Sequence, residues 1–363
     1  MSLGRRNLLA LGAVGATIPF WRALAEGISL PDIPPIPEKL KGTGEVRVAN
    51  YGGTMQEAQR KAYFQPFEAM GGITVRDFAG ADLNKVKAMV DTGNVEWDVV
   101  QLSQGSVANL RKHGDYFEKI DYDLIDTANI DPAYRSDYAQ DMLVWSEAMA
   151  YRTDAFKGAV PVGWKDFWDV GRFPGDRALG GAGPSTPELE FAVMAAGVAP
   201  DQVYPIDIDK AFASYDKVKS NVVKWWETGA VPVQLLTDKE VVLTSVWNGR
   251  MAALQAAGVP AAISWDQGLL KRDCWAVPKG SPNKANAMKF IAFSTMAVPQ
   301  ARLSCLIPYG FVNAQSPQYV PPKQLALLPS APEIKSRLVP YDYEWWSQNR
   351  DAVIARWNKW VLA

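Results

Sequence analysis

Strand-like and helix-like segments alternate along residues 45–112, and this alternation limits the possible folds more than any other feature of the chain. The stretches "EVRVAN", "ITVRDF" and "WDVVQLS" are rich in the apolar and β-branched residues of buried strands, and a helix-like stretch follows each. Thr54 and Glu57 have the spacing of a capping box at the first helix start. The alternation predicts a parallel α/β sheet with right-handed crossovers.

Ligands of such sheets bind beyond the carboxyl ends of the strands, which here are residues 50–53 and 103–105. Tyr51 would offer a ring face and a hydroxyl group there, and Gly52 and Gly53 would let the backbone approach a ligand closely. A plain strand–helix turn, with the tyrosine packed on a neighbour, is the alternative interpretation. The first segment therefore predicts a binding edge without identifying the ligand.

The second half of the chain repeats this theme. Helices are predicted in "GWKDFWD", "PELEFAVMAAG" and the long stretch "DKAFASYDKVKSNVVKWWETG", and a strand is predicted in "RDCWAVPKGS". The stretch "VVLTSVWNGRMAALQAAG" is again a strand, a glycine break and a helix, with Trp247 at the break. Most other tryptophans, including Trp225, Trp226, Trp345 and Trp346, are expected on packed helix faces. Two α/β units of this kind predict two lobes around a cleft.

The N-terminus carries the pattern of an export signal over residues 1–25. Arg5 and Arg6 precede an apolar run, and a small-x-small site ends at Ala25. The arginine pair favours the twin-arginine route, with an ordinary secretory signal or an amphipathic helix as alternatives. Residues 26–44 are rich in proline and glycine and are predicted to be a flexible leader. We therefore expect a periplasmic location for the mature protein.

Composition excludes several functions. The formal net charge of −1 does not suit a nucleic-acid partner, which needs a basic field. The single histidine, His113, leaves little basis for a histidine metal site or a catalytic triad. No phosphate-binding loop or dinucleotide fingerprint occurs, so no cofactor is expected. Cys274 and Cys305 could pair in an oxidising compartment or remain as two buried thiols.

An ordered set of motifs resembles the solute-binding proteins of spermidine/putrescine-type ABC importers, which have the type II periplasmic binding fold. The motifs are "NYGGTMQEAQRKAYFQPFE", "WDVVQLSQGSVANLRKHG", "AMAYRTDAF", "VWNGRMAALQAAG", "DCWAVPKGSPNKANAMKFIAF" and "PYGFVN". The resemblance implies a first lobe of residues 45–146 and 272–316 and a second lobe of residues 147–271 and 317–363. It also implies a cleft that closes on a small amine, delivery to membrane permease subunits, and a monomer.

The resemblance also implies which residues line the cleft. Matched positions are Tyr51, Ser103, Gln104, Asp273 and Tyr309 on the first lobe and Trp247 on the second, and Gly53 is a further candidate from the glycine turn itself. Asp273 corresponds to the carboxylate that holds an ammonium group, and Trp247 could instead be a core residue. Aromatic faces attract ammonium ions and a carboxylate fixes their position.

Two departures from the polyamine pattern change the expected ligand. Glu188 stands somewhat beyond the position where polyamine binders carry a pair of acids, and Lys271 replaces an aromatic residue two positions before Asp273. Lys271 and Arg272 would repel a polyamine but suit a carboxylate, unless they point to solvent at the cleft rim. The expected ligand is therefore a polyamine or a zwitterion such as aminobutyrate.

Two other functions stay open. A periplasmic enzyme could use the same fold, although no nucleophile, metal set or cofactor motif is visible. A ferric-ion binder could use neighbouring tyrosines such as Tyr341 and Tyr343, although histidine or carboxylate partners for them are not evident. The sequence favours a binding protein without catalytic chemistry.

Overall fold

The computed structural model describes residues 29–182 and 186–363. The predicted export signal, residues 1–25, lies outside the described residues. Within these two ranges, none of the helices combines the length and the hydropathy that crossing a bilayer requires.

The described strands form one mixed sheet of ten. The strands are β1 (Glu45–Asn50), β2 (Thr74–Ala79), β3 (Val99–Ser103), β4 (Arg135–Ser136), β5 (Ala139–Arg152), β6 (Arg177–Gly180), β7 (Val222–Trp226), β8 (Leu243–Trp247), β9 (Ala261–Ala276) and β10 (Val339–Pro340). Their order across the sheet is β2-β1-β3-β9-β5-β8-β6-β7, with β10 beside β9 and β4 beside β5. Strands β1 to β3 are parallel to one another, as the alternation predicted. The long strands β5 and β9 are antiparallel neighbours along most of their length.

Helices cover both faces of this sheet. They are α1 (Gly53–Gln59), α2 (Gln65–Gly71), α3 (Leu83–Thr92), α4 (Gln104–Arg111), α5 (Trp164–Trp168), α6 (Leu189–Ala195), α7 (Ile208–Val218), α8 (Val231–Thr237), α9 (Asn248–Ala256), α10 (Lys284–Ser294), α11 (Ala297–Leu306), α12 (Pro322–Leu325), α13 (Pro332–Lys335) and α14 (Tyr343–Leu362). A π-helical turn, Arg60–Phe64, joins α1 to α2. We call the part built on β1 to β3 the first lobe and the part built on β6 to β8 the second lobe, and β5 and β9 run through both.

The first helix begins differently from the prediction. Its N-cap is Gly52 with φ of +80°, and no side chain caps it, so Thr54 and Glu57 do not form a capping box. A Cβ atom on Gly52 would lie 3.0 Å from the Cβ of Ala79. The glycine pair therefore turns the chain tightly and starts the helix one residue before Thr54.

Each lobe has its own apolar core. In the first lobe, Phe67 and Phe290 are fully buried and their rings meet edge to face with centroids 5.6 Å apart. In the second lobe, Trp164 stacks on Phe191 with centroids 3.6 Å apart. Burying each of these large side chains contributes about 1.5–3 kcal/mol, so each lobe contains a stabilising core of its own.

The segment before β1 is packed against the first lobe. Ile36 and Leu40 are buried in the first-lobe core, and Leu30 and Ile33 pack against it. The guanidinium group of Arg302 donates to the carbonyl of Pro31 at 2.8 Å. For residues 29–44, the prediction of a flexible leader is therefore wrong, because apolar residues spaced between the prolines bury themselves on the lobe.

A second correction concerns residues 219–229, which were predicted to extend a helix. Helix α7 ends at Val218 and the chain then forms β7, which pairs with β6. Trp225 and Trp226 therefore lie on a strand, where Trp225 contacts Trp357 of α14 with ring centroids 5.0 Å apart. The β-branched pair Val222 and Val223 fits a strand better than a helix interior.

The C-terminal region divides between the lobes. Ala331, Ile334 and Leu338 belong to the first-lobe core, whereas Trp346, Val353 and Trp357 of α14 belong to the core of the second lobe. We propose that residues 317–338 extend the first lobe, and that the chain returns to the second lobe only near β10.

The two cysteines are buried and free. Cys274 lies in the sheet of the first lobe, and Cys305 lies on α11 against Phe311 and Leu328. The structure therefore corresponds to the alternative of two buried thiols.

Candidate functional site

The candidate site lies where β5 and β9 run between the lobes. Strands β1 and β3 end there from the first lobe, and β8 ends there from the second. Antiparallel pairing places Asp273 opposite Ser103 of β3 on one side and opposite Leu143 of β5 on the other. Most of the residues predicted from the sequence are therefore brought to one region by strand register.

Asp273 is a buried carboxylate that neutral groups hold in place. Its Oδ2 accepts from Nε2 of Gln101 at 2.9 Å, and its Oδ1 accepts from Nε1 of Trp145 at 3.2 Å. Gln59 of α1 donates to Gln101 at 2.9 Å and thereby orients that amide. In the described part of the chain, no lysine or arginine pairs with Asp273. Burial raises the pKa of Asp273 to about 6.

Tyr51 stands beside this carboxylate. Although 49% of its surface is exposed, its hydroxyl lies near Asp273, Tyr343 and the backbone of Ser103. Desolvation, and then the charge of Asp273, raise the pKa of Tyr51 well above its usual value, so the hydroxyl stays neutral. The hydroxyl of Ser103 caps α4 by accepting from the amide of Ser106. Gly53 has φ of +59° and a Cβ there would meet nothing within 4 Å, so backbone conformation explains this glycine.

Tyr309 brings the two lobes into contact. A Cβ atom on Gly249 would lie 2.7 Å from the Tyr309 ring, so the absence of a side chain at Gly249 lets the tyrosine sit on the first turn of α9. Burial, followed by the charge of Asp273, raises the pKa of Tyr309 to about 12. Its neutral ring therefore lies between a first-lobe carboxylate and a second-lobe helix start.

Arg250 is a candidate site residue that the sequence interpretation missed. It is exposed in the first turn of α9, next to Gly249, and its positive charge lowers the pKa of Tyr309. Among residues 29–182 and 186–363, no carboxylate forms an ion pair with it. The arginine stands in the "VWNGR" motif itself, directly after the glycine break, and this position could have indicated its role.

Trp247 lies at the end of β8, partly buried. Its Nε1 donates to Oε1 of Glu147 at 3.0 Å, and its ring meets Trp145 edge to face with centroids 5.7 Å apart. A Cβ atom on Gly229 would lie 2.4 Å from the ring, so the other side of Trp247 packs on backbone. Trp247 is thus both a packing residue and a wall of the region between the lobes.

Lys271 is buried, with 7% of its surface exposed, and does not point to solvent at the rim. Its ammonium group pairs with Oε2 of Glu147. The same nitrogen lies 4.6 Å from the ring centroid of Tyr341 and 5.3 Å from that of Trp145. We call these four residues, Lys271, Glu147, Trp145 and Tyr341, the lysine box.

Glu188 lies next to the lysine box from the second lobe. Its Oε2 accepts from the amide of Gly180 at 2.8 Å, and no described group bonds its Oε1. Desolvation, and then the negative charge of Glu147, raise the pKa of Glu188 well above its usual value. The carboxyl group of Glu188 therefore favours its neutral form more than an ordinary glutamic acid does.

Gln104 and Arg272 belong to a separate network behind the site. Both donate to the fully buried Asp141, Gln104 to Oδ1 and Arg272 to Oδ2 at 2.9 Å. Burial, opposed in part by Arg272, raises the pKa of Asp141 to about 7. The structure therefore places Gln104, a predicted ligand contact, in a supporting position.

The two tyrosines considered for iron are already engaged. Tyr343 exchanges hydrogen bonds with the backbone of Arg272, and the hydroxyls of Tyr341 and Thr186 are 3.1 Å apart. Within the described ranges, no group of three His, Cys, Asp or Glu residues could hold a metal ion. The geometry instead combines an unpaired buried carboxylate, neutral aromatic groups and an unpaired arginine.

These features, on a two-lobed α/β fold, are typical of a solute-binding protein. Residues 62–333 match the family model of bacterial extracellular solute-binding proteins, and the chain belongs to that family. The protein is a solute-binding component of an ABC transporter with the type II periplasmic binding fold, as the sequence motifs indicated.

Individual relatives agree with this assignment. The chain is 38% identical over 322 residues to a gamma-aminobutyric acid-binding protein of Pseudomonas aeruginosa. The aligned region covers 86% of this chain and 90% of that protein. It is 24% identical to a spermidine/putrescine-binding periplasmic protein of Escherichia coli, covering 66% of this chain and 71% of that one. A solved ABC transporter substrate-binding protein from Bradyrhizobium japonicum is 35% identical with a TM-score of 0.82, covering 87% of this chain and 99% of that one. This family and these relatives are binding proteins rather than enzymes.

Proposed function

We propose that this protein captures a small zwitterion with a terminal ammonium group and a carboxylate, of the size of gamma-aminobutyrate, in the cleft between its lobes. One observation carries the proposal. Asp273 is buried without a cation partner, while Arg250 has no carboxylate partner among the described residues, and both act on Tyr309. A ligand with a positive end and a negative end would satisfy both.

The ammonium end would lie on Asp273. A carboxylate already oriented by Gln101 and Trp145 does not need to reorganise when a cation arrives, so little binding energy is spent on ordering it. The rings of Tyr51 and Tyr309 add faces that attract a cation by about 0.5–2 kcal/mol each. Ser103, opposite Asp273 in the strand register, offers a hydroxyl at the same end.

The carboxylate end would lie near Arg250. A guanidinium group binds a carboxylate through two parallel hydrogen bonds, and Arg250 stands in the first turn of α9, where the helix dipole is positive. The neutral hydroxyl of Tyr309 can donate a further hydrogen bond. The relative from Pseudomonas aeruginosa, which is named for gamma-aminobutyric acid, supports a ligand with these two ends.

The remaining parts of the function follow from the family. We propose that the protein works in the periplasm as a monomer, closes its lobes on the ligand, and delivers it to membrane permease subunits without catalysing a reaction. Trp247 and Glu188 would face the ligand from the second lobe. The periplasmic location agrees with the export pattern of residues 1–25 and with the name of the Escherichia coli relative.

A matched set of four ligands tests the proposal by isothermal titration calorimetry on protein that has been unfolded and refolded to remove carried-over ligand. Gamma-aminobutyrate is expected to bind. Butyrate lacks the ammonium group, butylamine lacks the carboxylate, and putrescine replaces the carboxylate with a second ammonium, so each should bind at least about tenfold more weakly. Tighter binding of putrescine would contradict the zwitterion proposal and favour a polyamine binder. Binding of none of the four would contradict the proposed ligand class.

Binding should also depend on pH through Asp273. The carboxylate must be charged to hold an ammonium group, and burial raises its pKa to about 6. Affinity for gamma-aminobutyrate should therefore be constant well above pH 6 and should fall as the pH drops below it, approaching about tenfold per pH unit.

The stability of the ligand-free protein should change with pH in the opposite direction to the affinity. Because the folded-state pKa of Asp273 lies above its ordinary value of 3.8, ionisation between about pH 4 and 6 lowers the free energy of unfolding. Calorimetric affinity and thermal unfolding across this range check both trends. The variant Asp273→Asn provides the baseline, and an unchanged affinity slope in that variant would assign the titration to another group.

A further inference from the structure

We propose that Lys271 is a built-in ammonium group that occupies a second cation subsite of the cleft, and that it thereby excludes diamines. The inference rests on the proposed function and deepens it, because it assigns one residue as the determinant of selection between a zwitterion and a diamine. The lysine box carries the argument.

The lysine box has the composition of a site for a primary ammonium ion. The carboxylate of Glu147 pairs with Lys271, and the rings of Tyr341 and Trp145 lie 4.6 Å and 5.3 Å from the lysine nitrogen. Trp247 donates to the other oxygen of Glu147 at 3.0 Å and so fixes the carboxylate. Aromatic faces around a carboxylate are the usual surroundings of a bound alkylammonium, and here the protein supplies that cation itself.

The lysine box lies directly beside the subsite proposed for the ligand. Lys271 and Asp273 are two residues apart on β9, so their side chains emerge on the same face of the strand. Trp145 pairs with Lys271 in the strand register, and its Nε1 donates to Asp273 while its ring faces the lysine ammonium. Trp145 is therefore a shared wall between two carboxylates, Asp273 and Glu147.

Only one of these carboxylates is available to a ligand. Asp273 has no cation partner in the described ranges, whereas Lys271 neutralises Glu147. A diamine would need both, and its second ammonium would meet the charge of Lys271. A zwitterion needs only Asp273, and it can direct its carboxylate toward Arg250. The protein thus selects against diamines because the ammonium group of Lys271 already occupies the cation subsite at Glu147.

Removal of Lys271 should open this subsite. The Lys271→Ala variant leaves Glu147 buried and unpaired beside the acid Glu188, which favours any cation that can enter. Putrescine affinity should rise at least tenfold relative to the wild-type protein. Ethylammonium should raise the melting temperature of the variant by more than it raises that of the wild-type protein, because it can fill the place of the lysine nitrogen only in the variant.

Two further variants serve as controls. In Lys271→Ala/Glu147→Gln the carboxylate is also removed, so both the putrescine gain and the ethylammonium effect should disappear. Arg272→Ala removes the neighbouring basic group, whose partner is Asp141 outside the lysine box, and it should not gain putrescine affinity. Lys271→Met keeps the aliphatic stem and should still show a putrescine gain if the alanine variant does not fold.

The outcomes separate this inference from the proposed function. If the wild-type protein binds gamma-aminobutyrate but neither Lys271 variant gains putrescine affinity, the subsite assignment is wrong and the proposed function stands. If the wild-type protein already binds putrescine more tightly than gamma-aminobutyrate, Lys271 does not exclude diamines and both proposals fail. A putrescine gain that persists in Lys271→Ala/Glu147→Gln would also overturn the inference.

Discussion

Replacement of Asp273 by asparagine should weaken the binding of gamma-aminobutyrate by about 2–5 kcal/mol, the cost of removing one partner of a buried charge pair. The substitution keeps the shape of the side chain but removes the charge that holds the ammonium group. The asparagine also has an NH2 group in place of one carboxylate oxygen. It therefore cannot accept both the hydrogen bond from Gln101 and the one from Trp145. Isothermal titration calorimetry of the variant and the wild-type protein measures the effect.

Asp141→Asn is the matched control, because Asp141 is also buried and close enough to interact with Asp273, but pairs with Arg272. We expect its effect on affinity to be clearly smaller than that of Asp273→Asn. Circular dichroism and thermal unfolding of both ligand-free variants show whether the fold is intact. A folded Asp273→Asn variant with unchanged affinity would remove Asp273 from the binding site.

Replacement of Arg250 by glutamine should weaken gamma-aminobutyrate binding by about 1.5–3 kcal/mol, the usual contribution of a hydrogen bond to a charged group. The arginine is exposed and forms no ion pair with a described carboxylate, so its loss should leave stability almost unchanged. Butylamine has no carboxylate, and its weak binding should not change. The ratio of the two affinities therefore isolates the carboxylate contact from the rest of the site.

Arg356→Gln is the control for Arg250, because this partly exposed arginine lies on α14 and pairs with Asp209. It should leave the affinity for gamma-aminobutyrate unchanged. An equal loss of butylamine and gamma-aminobutyrate binding in Arg250→Gln would show that the arginine supports the fold of the cleft rather than the ligand carboxylate. An unchanged affinity for both ligands would place the anion subsite elsewhere.

Local sequence patterns predicted the first lobe well. The strands β1 to β3 and the helices between them appear where periodicity and turn residues placed them, except that the first helix begins at Gly53 without the predicted capping box, and the sheet is parallel as expected. Such patterns extend over only a few residues, so the sequence of a single segment is enough to predict its secondary structure. Candidate residues at strand ends, such as Tyr51 and Ser103, follow directly from this kind of topology.

The same patterns failed where tertiary contacts decide. Residues 222–226 form a strand because β6 offers them an edge to pair with, although they follow a helix without a clear break. Trp145 and Gln101 lie inside strands, where nothing in the local sequence distinguishes a ligand-side residue from a core residue. Gln104 stays a predicted ligand contact, and only the fold shows that its side chain donates to Asp141, 37 residues away.

The sequence by itself determined the class of fold and the two-lobed organisation, since these depend on local periodicity and on recognisable motifs, and it predicts the acid at position 273 as a ligand contact. Only the tertiary structure decided what Lys271 does. From the sequence alone, Lys271 could lie either at the solvent-exposed rim of the cleft or inside the pocket. The sequence does not identify its partner Glu147, because that residue is 124 positions away. The register of β5 against β9 brings the two charges together in a buried setting, where removing either partner would leave the other charge buried and uncompensated.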